Sequence, residues 1–262
     1  MNRLTESEKE KILNFAKGGK SLNKISFETS IPKTTLYYHL KNHIRKNSQL
    51  ELKKASEIEI GYILGLFFGD GHFDIRKNNY SYRIVFSFDL RRDKKIVKKL
   101  IQIFKTMKGK PYIVTFSSRN TVRVICISKK LFLFLKNFLV YKKLQRGKAI
   151  INKKFYLKNI DNWNKDRIRG FIAGIIDSDG HIGRTKYNSE FITIATFSKK
   201  FAQQIIYFLE IFGFLNSVSL DSQNIYRIRI STKSFERILQ LIPIMKRASR
   251  SMVRSLPSQG RG

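Results

Sequence analysis

The feature of this sequence that most constrains its fold is a motif that occurs twice. Residues 61–72 read GYILGLFFGDGH and residues 170–181 read GFIAGIIDSDGH, with an offset of 109 positions (170 − 61). Small residues four apart fall on one stripe of an α-helix, and glycine inside a helix costs roughly 0.5–1 kcal/mol. Such stripes allow close approach of another backbone, so we predict that the two motif helices pack together. The predicted interface consists of Gly61, Gly65, Gly69, Gly170, Gly174 and Ser178.

Each motif helix is predicted to end at an aspartate, Asp70 in the first copy and Asp179 in the second. If the helices pack side by side and parallel, their C-terminal ends meet and the two carboxylates lie close together. Helix C-termini disfavour negative charge and neighbouring carboxylates repel each other. A divalent cation with oxygen ligands would relieve both effects. The alternative is that each Asp-Gly pair only ends a helix, with the glycine in the left-handed conformation.

The charge of the chain indicates the class of its partner. It has 52 Lys and Arg against 19 Asp and Glu, a formal net charge of +33. This excess favours a polyanion, nucleic acid before an anionic membrane surface, although a solvated basic surface is the simpler alternative. Hydrophobic residues make up 42% of the chain, so a sizeable core is expected rather than a disordered basic tail.

Several other classes are disfavoured by the sequence. One cysteine, Cys126, rules out a disulfide framework or a cysteine-based zinc site. No apolar run approaches the roughly 20 residues of a membrane span, so no membrane partner is expected. The polar start MNRLTESEKE has no signal-peptide pattern. We therefore expect an intracellular protein, in the cytoplasm, on the nucleoid or in an organelle.

The order of predicted elements gives an α+β fold. Each motif begins an α-β-β-α-β-β-α series, so residues 57–150 and 167–253 are predicted to form a pseudo-twofold pair of domains. Residues 47–56 and 151–166 are predicted linkers, and residues 254–262 an irregular tail. Residues 1–46 are predicted to be all helical, with a Thr5–Glu8 capping box at the start.

Two short helices, a turn and a basic helix in residues 1–46 are typical of a helix-turn-helix DNA-binding domain, although a plain three-helix bundle is the alternative. The residues most able to reach a major groove are Lys33, Thr34, Thr35, Tyr38 and Lys41. In the two core domains, strand runs such as SYRIVFSF and IYRIRIS alternate apolar and polar positions, so one sheet face is free to lie along DNA. The predicted DNA-contacting residues of the sheets are Arg76, Arg83, Arg123, Arg184, Arg227 and Arg229.

The segments ILGLFFGDG (63–71) and IAGIIDSDG (172–180) resemble the two motifs of single-chain LAGLIDADG homing endonucleases, and the resemblance covers roughly residues 57–250. It implies two four-stranded sheets that form a saddle over DNA and cleavage of both strands across the minor groove. The eighth motif position, a metal-binding acid in the family, is Asp70 or Asp179. The sixth position, often acidic, is Asp177 in the second motif but Phe68 in the first.

The resemblance implies a site-specific double-strand DNA endonuclease, a metal-dependent phosphodiester hydrolase that uses Mg²⁺ or another divalent cation such as Mn²⁺. Its predicted metal site comprises Asp70, Asp179, Gly69 and Ser178. A basic residue after the last helix of each half is expected to be catalytic, and the best matches are Lys142, or its neighbour Lys143, and Lys246. The expected partner is a double-stranded DNA target bound by a monomer. A non-catalytic DNA-binding regulator, and a maturase that binds intron RNA, are alternatives on the same fold.

Overall fold

A computed structural model of the chain describes residues 4–18, 20–41, 50–76, 81–146, 149–185 and 189–246. The chain divides into two compact units, Met1–Gln49 and Leu50–Gly262. No helix in the described ranges has the length and apolar character needed to span a membrane.

The first unit consists of three helices, α1 (Glu6–Lys17), α2 (Leu22–Thr29) and α3 (Lys33–Leu40). Thr5 and Glu8 form the predicted capping box at the start of α1. A small core of apolar side chains joins the helices, and its buried members are Ile12, Ala16, Ile25, Ile31, Leu36 and Leu40. Residues 42–46, which we predicted to continue the third helix, lie outside the described residues.

The first half of the larger unit follows the predicted order. It contains α4 (Glu57–Gly69), β1 (Gly71–Arg76), β2 (Ser81–Asp89), α5 (Lys94–Thr106), β3 (Tyr112–Phe116), β4 (Thr121–Ile127) and α6 (Lys129–Phe138). A capping box between Ser56 and Glu59 starts α4. The strands form an antiparallel sheet in the order β1-β2-β4-β3, in which Arg83 of β2 lies between Asp74 of β1 and Ile127 of β4.

A β-hairpin that the sequence did not predict follows the first half. Its strands are β5 (Leu139–Arg146) and β6 (Ala149–Leu157), which pair with each other with an irregularity between Val140 and Tyr141. The predicted linker over residues 151–166 is therefore wrong at its N-terminal end, because residues 151–157 are paired strand. The chain leaves β6 and reaches the second motif helix by a short connection over residues 158–164.

The second half repeats the first. It contains α7 (Lys165–Asp179), β7 (Gly180–Arg184), β8 (Glu190–Thr196), α8 (Lys199–Ile211), β9 (Asn216–Leu220), β10 (Tyr226–Ile230) and α9 (Phe235–Leu241), with the sheet order β7-β8-β10-β9. The last helix, α9, ends at Leu241. Ile242 precedes a proline and is extended (φ −110°, ψ 121°), a conformation that proline imposes on the residue before it.

One hydrophobic core runs through both halves of the larger unit. Its largest fully buried side chains include Tyr62 and Phe67 from α4 and Phe171 from α7. The predicted α+β fold, a pseudo-twofold pair of α-β-β-α-β-β-α domains, is confirmed.

Candidate active site

The motif helices α4 and α7 pack directly against each other through the small residues of their stripes. A methyl group added at Gly65 would lie 2.3 Å from the carbonyl oxygen of Phe171, and one added at Gly174 would lie 2.4 Å from that of Tyr62. Methyl groups added at the two ends of the first stripe would be similarly close to the other helix, at Gly61 to Arg167 and at Gly69 to Ser178. The residue numbers of the contacting pairs increase in the same direction along both helices. The helices therefore run parallel, and their C-terminal ends meet.

The two motif aspartates lie at this shared end. Asp70 caps the C-terminus of α4, and Asp179 is the last residue of α7. An added methyl group at Gly69 would lie 3.1 Å from the carboxyl carbon of Asp179, which places that carboxyl group directly beside the end of α4. Asp70 is half-buried and Asp179 is exposed, so the pair faces outward from the helix interface.

The glycines after the aspartates are not in the left-handed conformation that a simple helix-ending turn would use. Gly180 has φ −76° and ψ 147°, and Gly213 has the one positive φ among the described glycines. Gly71 and Gly180 instead lack space for a side chain. A methyl group would lie 2.6 Å from the Cα of Phe67 in the first case and 2.5 Å from the carbonyl oxygen of Ile176 in the second. The alternative based on a left-handed glycine is therefore wrong.

The electrostatics of the site favour a positive ligand. Burial, together with the nearby carboxylates of Asp179 and Asp93, raises the pKa of Asp70 to about 7, and the cations Lys246 and Lys154 oppose this shift. Asp93 precedes α5 and lines a cleft of about 910 Å³ that also includes Lys246. Burial is the main cause of this shift, because it disfavours the charged form of the carboxyl group, and the negative neighbours add to it.

A lysine ammonium group donates hydrogen bonds to main-chain carbonyl groups at the C-terminal end of each motif helix. Lys154 Nζ donates to the carbonyl oxygens of Phe67, Gly69 and Gly71, at 2.6, 2.9 and 2.7 Å. Lys246 Nζ donates to those of Gly180, at 2.6 Å, and Ser178, at 3.4 Å. Gly69 and Gly71 correspond to Ser178 and Gly180 at the offset of 109, so the two lysines hold equivalent places.

The structure corrects the lysine predicted for the first half. Lys142, on β5, has an exposed side chain whose Nζ lies 5.1 Å from the centre of the Phe155 ring. Lys154, on β6 of the same hairpin, contacts the motif instead. The side chain of Lys143 lies outside the described residues. The prediction failed because the hairpin carries the chain 12 residues (154 − 142) beyond the expected position before it returns to the motif.

Asp177 forms a buried network at the sixth position of the second motif. Its carboxylate accepts hydrogen bonds from the Tyr62 hydroxyl (2.8 Å), the Met245 N–H (2.9 Å) and the Lys246 N–H (2.8 Å). Burial raises its pKa, while these hydrogen bonds and the nearby Lys99 oppose the shift. At the equivalent position of the first motif, Phe68 stacks on Phe201 with ring centres 3.8 Å apart.

The arginines predicted to contact DNA lie on the strands of both sheets, and three of those described form ion pairs within the chain. Arg83 contacts Asp74, Arg184 contacts Glu190, and Arg227 contacts Asp221. The guanidinium groups of the other two lie over aromatic rings, Arg123 over Phe116 at 4.8 Å and Arg229 over Phe191 at 4.2 Å. Arg76 ends β1, but its side chain is outside the described part of the chain.

In the N-terminal unit, the predicted groove-facing residues occupy one side of α3. Leu36 and Leu40 face the core, whereas Lys33, Thr34 and Tyr38 are exposed. Thr35 is partly exposed, and Lys41 follows the helix with its Nζ 5.1 Å from the centre of the Tyr38 ring. The arrangement leaves a polar and aromatic helix face open to solvent.

Comparisons with known proteins agree with this architecture. A family model of a LAGLIDADG-like domain matches residues 166–243. The crystal structure of I-DmoI in complex with DNA and Mn is 20% identical, covering 71% of this chain and 96% of that one, with a TM-score of 0.51. The complex of I-DmoI with DNA and Ca gives 21% identity, coverage of 71% and 89%, and a TM-score of 0.50.

A third similar structure is full-length DUF199/WhiA from Thermatoga maritima, with 16% identity, coverage of 72% of this chain and 56% of that chain, and a TM-score of 0.50. A comparison with curated protein sequences gives no significant match. Residues 166–243 thus match a LAGLIDADG-like domain, and the core that they form with the first half has the LAGLIDADG fold.

Proposed function

We propose that the chain is a site-specific endonuclease of the homing type that hydrolyses phosphodiester bonds in both strands of double-stranded DNA. The observation that carries the proposal is the meeting of Asp70 and Asp179 at the ends of two parallel helices, each next to a lysine ammonium group. Both motifs lie in one chain and pack on each other, so we also propose that a monomer is sufficient.

The donor atoms of the site suit Mg²⁺ or Mn²⁺. They are the carboxylates of Asp70 and Asp179 and the main-chain carbonyls of Gly69 and Ser178, all of them oxygen, as hard divalent cations prefer. No group of three or more His, Cys, Asp or Glu side chains gathers as a metal site within the described residues. Phosphate oxygens of DNA and water would complete the coordination, as is common for Mg²⁺. A bound cation supplies activation of water and stabilisation of the leaving oxygen.

The residues of the chain supply the remaining parts of the mechanism. Burial and the neighbouring carboxylates disfavour the charged form of Asp70, and a bound cation would offset both effects. Lys154 and Lys246 place one positive charge beside each aspartate, where negative charge develops on the phosphate during hydrolysis. The carbonyl contacts of these ammonium groups fix their positions before DNA arrives, and preorganised charge is effective in catalysis.

The surface of the chain supports a DNA partner. The net charge of +33 attracts a polyanion, and contacts from Lys and Arg to phosphates would fix the register of the duplex. Arg123 and Arg229, which lie on the sheets of different halves, are candidates for such contacts. We propose that residues 1–46 add a second contact through the exposed face of α3. The similar I-DmoI structures contain DNA together with Mn or Ca.

The proposal is tested by incubating the protein with a randomised duplex library and Mg²⁺ and sequencing both the cut ends and the uncut DNA that the protein retains. We expect double-strand breaks within one sequence family, and none with EDTA or with the Asp70→Asn/Asp179→Asn double variant. A DNA-binding regulator would enrich a sequence family without cutting it, and an RNA maturase would do neither. Enrichment without cutting would overturn the proposal.

A further inference from the structure

The two candidate catalytic lysines are held by different parts of the fold. Lys154 lies on β6, where backbone pairing with β5 fixes its strand. Lys246 lies beyond α9, in residues 242–246, which follow the last helix without regular secondary structure. A side chain in such a segment needs another source of order if it is to keep one position against the motif.

Asp177 fixes the main chain of this segment. Its carboxylate accepts the N–H groups of Met245 and Lys246 at 2.9 and 2.8 Å, so it binds the main chain of the lysine itself. Only 2% of Asp177 is exposed, and Tyr62 from the first half donates to its second oxygen at 2.8 Å. A buried carboxyl group that accepts these three hydrogen bonds fixes its partners, because moving them would leave buried polar groups unsatisfied.

A second contact from the first half reinforces this anchor. Lys99 on α5 donates to the carbonyl oxygen of Pro243 at 2.8 Å, and its Nζ lies 3.8 Å from the centre of the Tyr62 ring. Residues 243, 245 and 246 are thus tied to both motif helices and to α5. The first motif has no such anchor, because Phe68 at the equivalent position stacks on Phe201.

We propose that Asp177 is a positioning residue that holds Lys246 at one of two unequal active-site halves, so that its loss impairs cleavage of one DNA strand selectively. The inference rests on the proposed endonuclease function. The strand concerned is the one whose cleavage depends on Lys246. The other strand depends on Lys154, which the hairpin holds without Asp177.

The decisive variant is Asp177→Leu, which keeps the branching at Cγ but cannot accept the two N–H groups. Asp177→Asn is the conservative control. Its amide oxygen can accept both N–H groups, and its amide nitrogen can donate to the Tyr62 hydroxyl. Phe68→Leu is the matched control in the first half, where the side chain at the equivalent position anchors no lysine. Lys246→Met and Lys154→Met identify which strand depends on which lysine.

The first measurement is the cleavage rate of each strand of an end-labelled duplex. We expect Asp177→Leu to slow, by on the order of 10²-fold, the strand that Lys246→Met slows, with the other strand within about threefold of wild type, so that nicked DNA accumulates. Asp177→Asn should restore cleavage of both strands, and Phe68→Leu should leave the ratio of the two rates unchanged. Equal slowing of both strands by Asp177→Leu would overturn the proposal.

The second measurement does not require activity. Acetic anhydride labels lysines according to their accessibility, and mass spectrometry resolves the sites. In Asp177→Leu we expect faster labelling of Lys246 and unchanged labelling of Lys154, the internal reference. Unchanged labelling of Lys246 would overturn the anchoring role even if the wild-type protein cuts DNA. A wild-type protein that cuts no DNA but shows the labelling difference would instead overturn the proposed function, and the strand-specific role with it.

Discussion

Lys154 Nζ donates a 2.9 Å hydrogen bond to the carbonyl oxygen of Gly69, the residue immediately before the first motif aspartate. The same relationship links Lys246 to Ser178, immediately before the second. The chain reaches these equivalent places by different routes, a β-hairpin in the first half and an irregular segment in the second. The two lysines therefore occupy equivalent positions in space although they do not occupy equivalent positions in the sequence.

Replacement of Lys154 tests whether cleavage depends on this ammonium group or only on the presence of the hairpin. Lys154→Met should reduce cleavage on the order of 10²-fold, because it removes a positive charge that would lie beside the reacting phosphate in the proposed complex. It should also lower stability by roughly 1.5–3 kcal/mol, since three carbonyl contacts are lost. Cleavage should be measured well below the unfolding temperature, with Lys142→Met as the control on the same hairpin. A loss of cleavage in Lys142→Met equal to that in Lys154→Met would refute the corrected assignment.

The raised pKa of Asp70 predicts how stability depends on pH without metal. The carboxyl group has a pKa of about 7 in the folded protein, against roughly 3.9 in an unfolded chain, so the folded state binds its proton more tightly. Stability from this group is present at low pH and is lost as pH rises from about 4 to 7. In EDTA, calorimetry should show that Asp70→Asn stabilises the protein at pH 8 by roughly 2–4 kcal/mol but has little effect at pH 4.

Metal binding can be tested through the same stability measurement. Addition of Mg²⁺ at pH 8 should raise the Tm of the wild-type protein, because a ligand that binds only the folded state stabilises it. Asp70→Asn should show a much smaller rise, since an amide is a poorer ligand for Mg²⁺ than a carboxylate. An equal rise in Tm for both proteins would show that Mg²⁺ binds at a site that does not include Asp70.

The glycine stripe should tolerate no added side chain. Gly65→Ala places a methyl group 2.3 Å from the carbonyl oxygen of Phe171, so the motif helices must separate or bend. We expect a loss of roughly 3 kcal/mol in the free energy of unfolding, measured with denaturant. Gly18→Ala is the control, because its methyl group would lie 3.3 Å from the nearest atom, the carbonyl oxygen of Asn14. If both variants unfold at the same denaturant concentration as wild type, the helices are not in such close contact.

Removal of residues 1–49 should leave a folded core. The first unit has its own buried cluster, and the described members of the larger unit's core come from Leu50 onward. We expect the truncated protein to retain cleavage, to bind DNA more weakly and to show a shallower dependence of affinity on salt, because fewer Lys and Arg contact phosphates. A truncated chain that fails to fold would place the first unit within the core.

Much of the fold could be predicted because the chain repeats one pattern. The small-residue stripe, the capping box at Ser56 and the alternating strands each indicate local structure, and the second copy supports the first. The hairpin β5–β6 could not be predicted in this way because it has no counterpart in the second half. Position 137 (246 − 109) is Asn137, so the offset of the repeat gives no indication of Lys154.

The site was predictable where its chemistry follows the helix geometry. Parallel packing of the stripes brings Asp70 and Asp179 to one end, and this needs only the spacing of small residues. The partners of Asp177 could not be predicted, because Tyr62 is 115 residues away and the two N–H groups belong to an irregular segment. Contacts between side chains and distant backbone depend on tertiary structure that no local pattern encodes.

The central claim is that Asp70 and Asp179 form one metal-dependent site for cleavage, and it is tested most directly by Asp70→Asn and Asp179→Asn, made singly and together. Each change keeps the shape of the side chain and removes a negative charge that would face DNA phosphates in the proposed complex. Double-strand cleavage of the selected target in Mg²⁺ should be almost abolished by either change. Metal-free affinity for the same DNA should be unchanged or higher, with the fold intact by circular dichroism. Cleavage that survives in the double variant would contradict the account.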